Sequence, residues 1–376
     1  LQNADVLVRD GRIDSVGLEL TPPDDATIIE AKGRPLTPGL FAGITALGLV
    51  EISAVEHTSD TALNVEDLRP EFDVSTAYNP WSSLVPVTRI EGFTWTVLGA
   101  ARAGSIVGGQ GRAVALDGRY DAFLGEHILF VDVGGDASGQ SAGSRAAQWM
   151  QLEQAMAEAG STVSGSRHAL LTPAGRKALA GFSSKGTVVF HADRASDILQ
   201  TAAFAEKHEL SAVISGGTEA WMVADRLAEA GIPVLLDALV NLPGNFDRLG
   251  ARHDNAMLLH EAGVTIACAG AGTHNARQLR QVAGNAVANG LAWEAALAAL
   301  TVNPAMIFGL DTAFATIEPG SRGDLVLWSG DPLEVTTAAD QVIIDGKVRE
   351  MVSRQTLLRD RYLQDKDTRP RAYIHP

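Results

Sequence analysis

TVVFHADRASDILQTAAFAEKHELSAVISGG, residues 187–217, carries the decisive pattern of this chain. TVVFHA (187–192) and SAVISG (211–216) are short β-branched runs, nearly continuous in apolar residues, as strands covered on both faces are. Between them, residues 194–208 carry a helical pattern. Strand, helix and strand at this spacing make a βαβ unit, and βαβ units build parallel sheets.

The alternation continues outward in both directions. Strand-like runs stand at TWTVLGA (94–100), HILFVDV (127–133), IPVLLDA (232–238) and VTIACAG (264–270). Helical patterns cover 145–158, 219–230, 254–262, 276–288 and 293–301. Thr218 is a candidate N-cap with Glu219 in the first turn behind it, and Gly231 with Pro233 closes that helix. Residues 37–310 have the length of a (β/α)8 barrel, about 250 residues or more. A doubly wound open sheet is the alternative. No G-x-G-x-x-G heads a helix after a strand; Gly108, Gly109 and Gly111 lie between strand-like runs and read as a turn-rich insertion.

The two ends resemble each other. ADVLVRDGRIDSVG turns at Asp10-Gly11 and ADQVIIDGKVREM at Asp345-Gly346. Asp-Gly between strand-like runs signals a hairpin, because both central turn residues need positive φ. A further strand, DLVLWS (324–329), precedes the second hairpin. The expected architecture is therefore α/β: a (β/α)8 TIM barrel over 37–310 with a small β-sandwich domain built from both chain termini, 1–36 and 311–376, the latter ending in a polar, basic tail.

Composition narrows the function classes. Of 376 residues, 46% are apolar and 20% charged, which excludes a disordered or fibrous chain. A net charge of −15 argues against nucleic acid or an anionic membrane as partner. The longest quiet apolar stretch, Leu40 to Val50, is far short of the roughly 20 residues that span a bilayer. The lone Cys268 rules out an intrachain disulfide. The chain starts at Leu1 without Met and already in strand-like sequence, which points to residues upstream, so localisation is left open.

An ordered set of motifs resembles the metal-dependent amidohydrolase superfamily, in particular its imidazolonepropionase-related branch. The set is LVRDGRIDSVG (7–17), LTPGL (36–40) with LGLVE (47–51), FHADRASDI (190–198), GGTEAW (216–221), GVTIACAG (263–270) with THNARQLR (273–280), NGLAWEAALAALTVNPAMIFGL (289–310), EPGSRGDLVLWSGDPLE (318–334) and VIIDGKV (342–348). The resemblance implies a barrel plus a terminal β domain. It also implies zinc or another divalent metal at the C-terminal mouth, activating water for C–N hydrolysis.

The ligand positions that the resemblance carries over are mostly lost. The first-strand His-x-His falls on Ile44 and Ala46, and the neighbouring Asp on Ala42. His191 matches the fifth-strand His, but the sixth-strand position offers only Ser215, Gly216 and Gly217. No acid stands from Val264 to His274, where the last-strand Asp aligns with Ala271 or its neighbour. The bridging Lys or Glu has no clear match, and Lys185 reads as a surface loop residue. One imidazole does not hold zinc where three or four ligands are the rule. No bound metal or other cofactor is expected.

Each surviving candidate has two readings. His191 is a pocket residue or a hydrogen-bonded core histidine; together with His274 it is the catalytic candidate. Glu219 contacts substrate or is a first-turn acid; Asn275 contacts substrate or caps a helix. Arg277 shares a helix face with Arg280, either solvated or turned to the mouth. His57 and Glu51 follow the first strand, where barrel loops collect function. The irregular stretch 66–90 reads as a lid or an oligomer arm. Two functions follow: a hydrolase of non-peptide or dipeptide-like C–N bonds with a degenerate metal site, or an inactive member of the fold that binds a small molecule or a protein. A small-molecule ligand and a homo-oligomer are the expected partners, without membrane insertion.

Overall fold

The computed structural model describes residues 3–161, 168–183, 186–270 and 272–363. Lys185, Ala271 and the tail cations Lys366, Arg369 and Arg371 lie outside the described residues. In chain order the strands are β1 Asp5–Arg9, β2 Arg12–Gly17, β3 Leu36–Pro38, β4 Leu40–Thr45, β5 Phe93–Leu98, β6 Val107–Ala115 and β7 Phe123–Asp132. They continue as β8 Thr187–Ala192, β9 Ser211–Gly216, β10 Val234–Leu236, β11 Ile266–Cys268, β12 Leu325–Trp328, β13 Ala339–Ile344 and β14 Lys347–Arg349. The helices are α1 Leu84–Arg89, α2 Arg145–Ala159, α3 Pro173–Phe182, α4 Ala195–His208, α5 Ala224–Glu229, α6 Asn255–Glu261, α7 Leu279–Ala288, α8 Trp293–Ala298, α9 Val302–Ile307 and α10 Arg354–Leu363.

Strands β4 to β11 form one eight-stranded sheet in chain order, curled into a nearly closed barrel. Neighbours are parallel except around β6, which runs antiparallel to both β5 and β7. The cause is connection length. Residues 99–106 and 116–122 are too few for a crossover of about a dozen residues, so the chain must double back. Between β11 and β4 the seam is bridged by the chain entering α9. Cys268 N donates to Ala299 O (3.0 Å) and Phe41 N to Leu300 O (2.8 Å).

Gly108, Gly109 and Gly111 belong to β6 itself, which corrects the turn-rich insertion read from the sequence. A Cβ on Gly111 would collide with the Leu98 carbonyl, and Gly109 sits at φ +117 against Phe72. Close backbone approach, and not a turn, requires these glycines. The stretch 66–90 is likewise more regular than its sequence suggests. Asp73 caps a short 3-10 turn at Val74–Ala77, α1 follows, and Leu68, Val74, Tyr78, Val85 and Val87 are buried.

Strand alternation divides the core in two. Phe41, Trp95, Val97, Ile128, Phe130, Val189, Val213, Leu235 and Ala267 fill the lumen. Val188, Phe190, Ala212, Ile214, Val234 and Ile266 pack outward on the helices. Phe41 and Trp95 stack in the lumen with ring centroids 4.5 Å apart, and Phe314 meets Trp95 edge-on at 5.3 Å.

A small β domain is built from both ends. β1 pairs with β2, and β14, β13, β12 and β3 form a four-stranded antiparallel sheet. Both Asp-Gly turns adopt positive φ at Asp10, Gly11, Asp345 and Gly346. They dock on each other through glycine backbone: Gly323 N donates to Gly11 O (2.8 Å) and Gly346 N to Gly323 O (3.0 Å). Arg280 fastens α7 to this domain. Its guanidinium is buried over Trp328 and donates to Pro332 O (2.6 Å) and Thr337 O (3.0 Å). A solvated Arg280 is thereby corrected; burial lowers its pKa, and Glu91 opposes that shift. Among the described residues no helix is long and apolar enough to cross a membrane.

Candidate functional site

Successive strand residues point to opposite faces, so the residue two beyond a lumen residue again faces the lumen. Applied at the C-terminal ends, this rule gives the uppermost inward layer. Phe130 is followed by Asp132, Val189 by His191, Val213 by Ser215, Leu235 by Asp237 and Ala267 by Ala269. Ile44 and Ala46 pack on the same lumen cluster from β4. Asp132 and His191 are register partners, and His191 is in turn the partner of Ser215.

Asp132 ends β7 with Arg102 Nε 3.6 Å from its carboxylate. Burial raises its pKa, opposed by the charges of His191 and Arg102. The His191 side chain is 43% exposed, with Nε2 3.9 Å from Asp193 Oδ2. Burial also raises Asp237, against the pull of the Leu239 N–H that it accepts at 2.9 Å and of Arg248. A partly exposed imidazole thus lies, in strand order, between two carboxyls whose pKa values burial raises.

Around this layer a buried polar wall fixes the loops. Asp193 accepts from Thr218 Oγ1 (2.5 Å), Thr218 N (3.2 Å) and Arg248 Nε (2.8 Å). Thr218 therefore spends its hydroxyl on Asp193 and does not cap the turn that follows, a correction to the sequence reading. Arg145 joins Asp197 (3.0 Å) and Asp247, and Gly135 N donates to Asp247 (2.6 Å). Asn245 reaches Asp136 at 3.2 Å. The loop after β10 is thus tied across the ends of β7, β8 and β9.

The candidate residues fall in separate places. His191 is in the inward layer. Glu219 is buried, its two oxygens accepting from Ala195 N (3.0 Å), at the start of α4, and Gly250 N (2.9 Å). His274, Asn275 and Arg277 share one 3-10 turn, Thr273–Gln278, after β11, three strands around the barrel from His191. His274 Nδ1 lies 3.3 Å from Ser53 Oγ. Asn275 is exposed inside that turn, while Gly272 holds the cap position, so the capping reading is corrected. Arg277 is half-buried. Glu51 accepts from Asn79 Nδ2 at 3.2 Å, and His57 is exposed.

Sequence reasoning missed Asp132, Asp193, Asp237, Arg102 and Arg248. The acids left a signal: ILFVD (128–132) and VLLD (234–237) each close an apolar strand with a carboxylate, and FHAD (190–193) sets one just past its strand. Polar residues at that end of a barrel read as functional. The two arginines left none, because they lie in loops. Among the described residues no group of three or more His, Cys, Asp or Glu side chains is placed to hold a metal ion.

Comparison with known proteins places these features. The profile of the Amidohydrolase family matches residues 141–349. Over 57 residues, 15% of this chain, it is 44% identical to amidohydrolase tasK of Hapsidospora irregularis; the match spans 6% of that protein's length. Among solved structures, an amidohydrolase from Thermotoga maritima MSB8 superposes with a TM-score of 0.78 at 25% identity, covering 92% of this chain and 94% of that one. N-isopropylammelide isopropylaminohydrolase from Burkholderia multivorans ATCC 17616 shares the fold, with a TM-score of 0.52 at 17% identity over 93% of this chain and 96% of that one.

Proposed function

We propose, from the premise that this chain belongs to the amidohydrolase family, that it hydrolyses non-peptide or dipeptide-like C–N bonds with His191 as its central acid–base group and without the family's zinc set. The observation that carries this reading is the inward layer Asp132–His191–Ser215–Asp237 at the barrel mouth. The zinc group does not fit the residues present. In β4 and just past it Ile44 and Ala46 are hydrocarbon, β9 offers Ser215, and β11 leads into Ala269. No step is therefore routed through a metal. His191 takes a proton from water as the new C–O bond forms, and the C–N bond breaks as the leaving nitrogen receives a proton. Asp237, whose pKa burial raises, is the proposed donor. His274 would assist from the turn after β11, with Asn275 and Arg277 meeting the substrate's far end and Glu219 shaping the wall. The motif order supports placing the chain with the imidazolonepropionase-related branch.

The test is a screen of amides, lactams and N-acyl amino acids, run beside elemental analysis of the purified protein. The expected result is turnover that survives chelators, and its loss in His191→Ala. Activity abolished by a chelator and restored by zinc would overturn the reading. Ile44 and Ala46 favour a second reading, an inactive member of the fold that binds a small molecule. Thermal shifts with metabolites, without turnover of any amide, would select it.

A further inference from the structure

The loop after β10, ALVNLPGNFDRLG (238–250), combines a fixed backbone with uncovered hydrocarbon. Its anchors follow one another around the barrel mouth. Beyond β10, Leu239 N donates to Asp237 (2.9 Å). Beyond β7, Asn245 reaches Asp136 (3.2 Å) and Asp247 accepts from Gly135 N (2.6 Å). Beyond β8, Asp193 accepts from Arg248 Nε (2.8 Å), and beyond β9, Glu219 accepts from Gly250 N (2.9 Å). The four strand ends that the loop touches are those that carry Asp132, His191, Ser215 and Asp237. Between the anchors stand Leu239, Leu242, Phe246 and Leu249, respectively 44%, 72%, 85% and 63% exposed. Exposed Met222 adjoins them, since a Cβ on Gly250 would meet its Cε.

Exposed apolar side chains grouped beside a cleft mark a ligand-binding surface more often than an idle one. The anchors say what kind of ligand. Arg248 directs its charge at Asp193, and Arg145 at Asp197 and Asp247, so neither is left for an anionic group. What the loop offers beyond its ion pairs is hydrocarbon. Because those ion pairs hold the backbone before anything binds, a ligand meets the apolar row without the entropy cost of ordering the loop. We propose that Leu242, Phe246 and Leu249 form a subsite for a neutral apolar arm, aliphatic or aromatic, of the small molecule taken at the mouth. This inference rests on the reading of the mouth as a site for C–N substrates, and it adds their class: amides with one long hydrocarbon arm.

The test is calorimetric titration of the whole chain with N-alkylacetamides from propyl to octyl, with initial hydrolysis rates on the same amides in parallel. Affinity should rise about two- to fourfold per added methylene, the increment for burying a CH2 group. The double variant Leu242→Ser, Phe246→Ser should weaken the octyl amide about tenfold or more and leave the propyl amide nearly unchanged. Its circular dichroism should not change, because both side chains are exposed and no anchor is touched. Leu249→Ser is an independent check should the double variant fold poorly. Leu18→Ser, equally exposed but on the small β domain, should keep the full dependence on chain length. Where hydrolysis is seen, the loss should fall on KM for the long amides, with kcat for the short ones intact. Equal affinity across the series overturns the subsite, as does a chain-length dependence that survives the loop variants. Hydrolysis without any chain-length preference overturns it too, and leaves the hydrolase reading standing. A dependence lost in the variants, with no amide hydrolysed, sustains the subsite and counts against hydrolysis alone.

Discussion

Arg248 Nε donates to Asp193 Oδ2 at 2.8 Å, joining the loop after β10 to the residue just beyond β8. The bond spans 55 residues of sequence and crosses the end of β9. Asp193 is buried and also accepts from Thr218 N and Thr218 Oγ1. Removing its carboxylate leaves three donors without their acceptor. Asp193→Ala should cost about 1.5–3 kcal/mol, the range for hydrogen bonds to charged groups. Urea unfolding measures the loss. Limited proteolysis should find new cleavage between residues 239 and 250, and an unchanged digestion pattern would mean that Arg248 does not hold this loop.

Asp237 should make stability depend on pH. Burial raises its pKa, so the folded chain binds this proton more tightly than the unfolded chain. The associated stability is complete below the unfolded value of about 4 and is lost as pH rises through the folded value. Asp237→Asn keeps an oxygen for Leu239 N but has no charge to bury. The variant should match the wild type near pH 4 and exceed it at pH 7. Thermal unfolding at the two pH values decides; a variant less stable at pH 7 contradicts the sign.

Cys268 should be inert in the folded state. It is buried in β11, and burial, with the Asp237 carboxylate adding to it, pushes the thiol up to about 12. The thiolate is the reactive form, so alkylation at pH 8 should proceed only after unfolding. Mass spectrometry after iodoacetamide treatment, with and without urea, reads this directly.

Trp95 should be the costliest single truncation in the lumen. It is fully buried and touches both Phe41 and Phe314. Trp95→Ala should lose about 3–5 kcal/mol, the usual cost of deleting a buried aromatic ring. Trp95→Phe should lose less, because the ring contacts partly survive and the buried indole N–H, which has no partner among the described residues, disappears.

Local rules sufficed where one segment contains its own instructions. Residues 187–217 became β8, α4 and β9 because strand and helix periods are written in consecutive residues. The two Asp-Gly turns formed because positive φ is a property of those two residues alone. His191 was legible for the same reason, as a polar residue ending an apolar strand. Other features depend on partners far away in sequence. The reversal of β6 follows from connection length and from the close approach of Leu98 and Phe72 to its glycines. Arg280 reads as a solvated helix cation until Trp328 and two carbonyls of the small domain enclose it. Asp132, His191 and Asp237 share one lumen only because the curled sheet turns alternate residues of distant strands toward it. The sequence alone determined most of the strands and helices; tertiary structure decided the strand Val107–Ala115 and which side chains share that lumen, since side-chain direction in a barrel depends on register between strands and not on the order of residues within one.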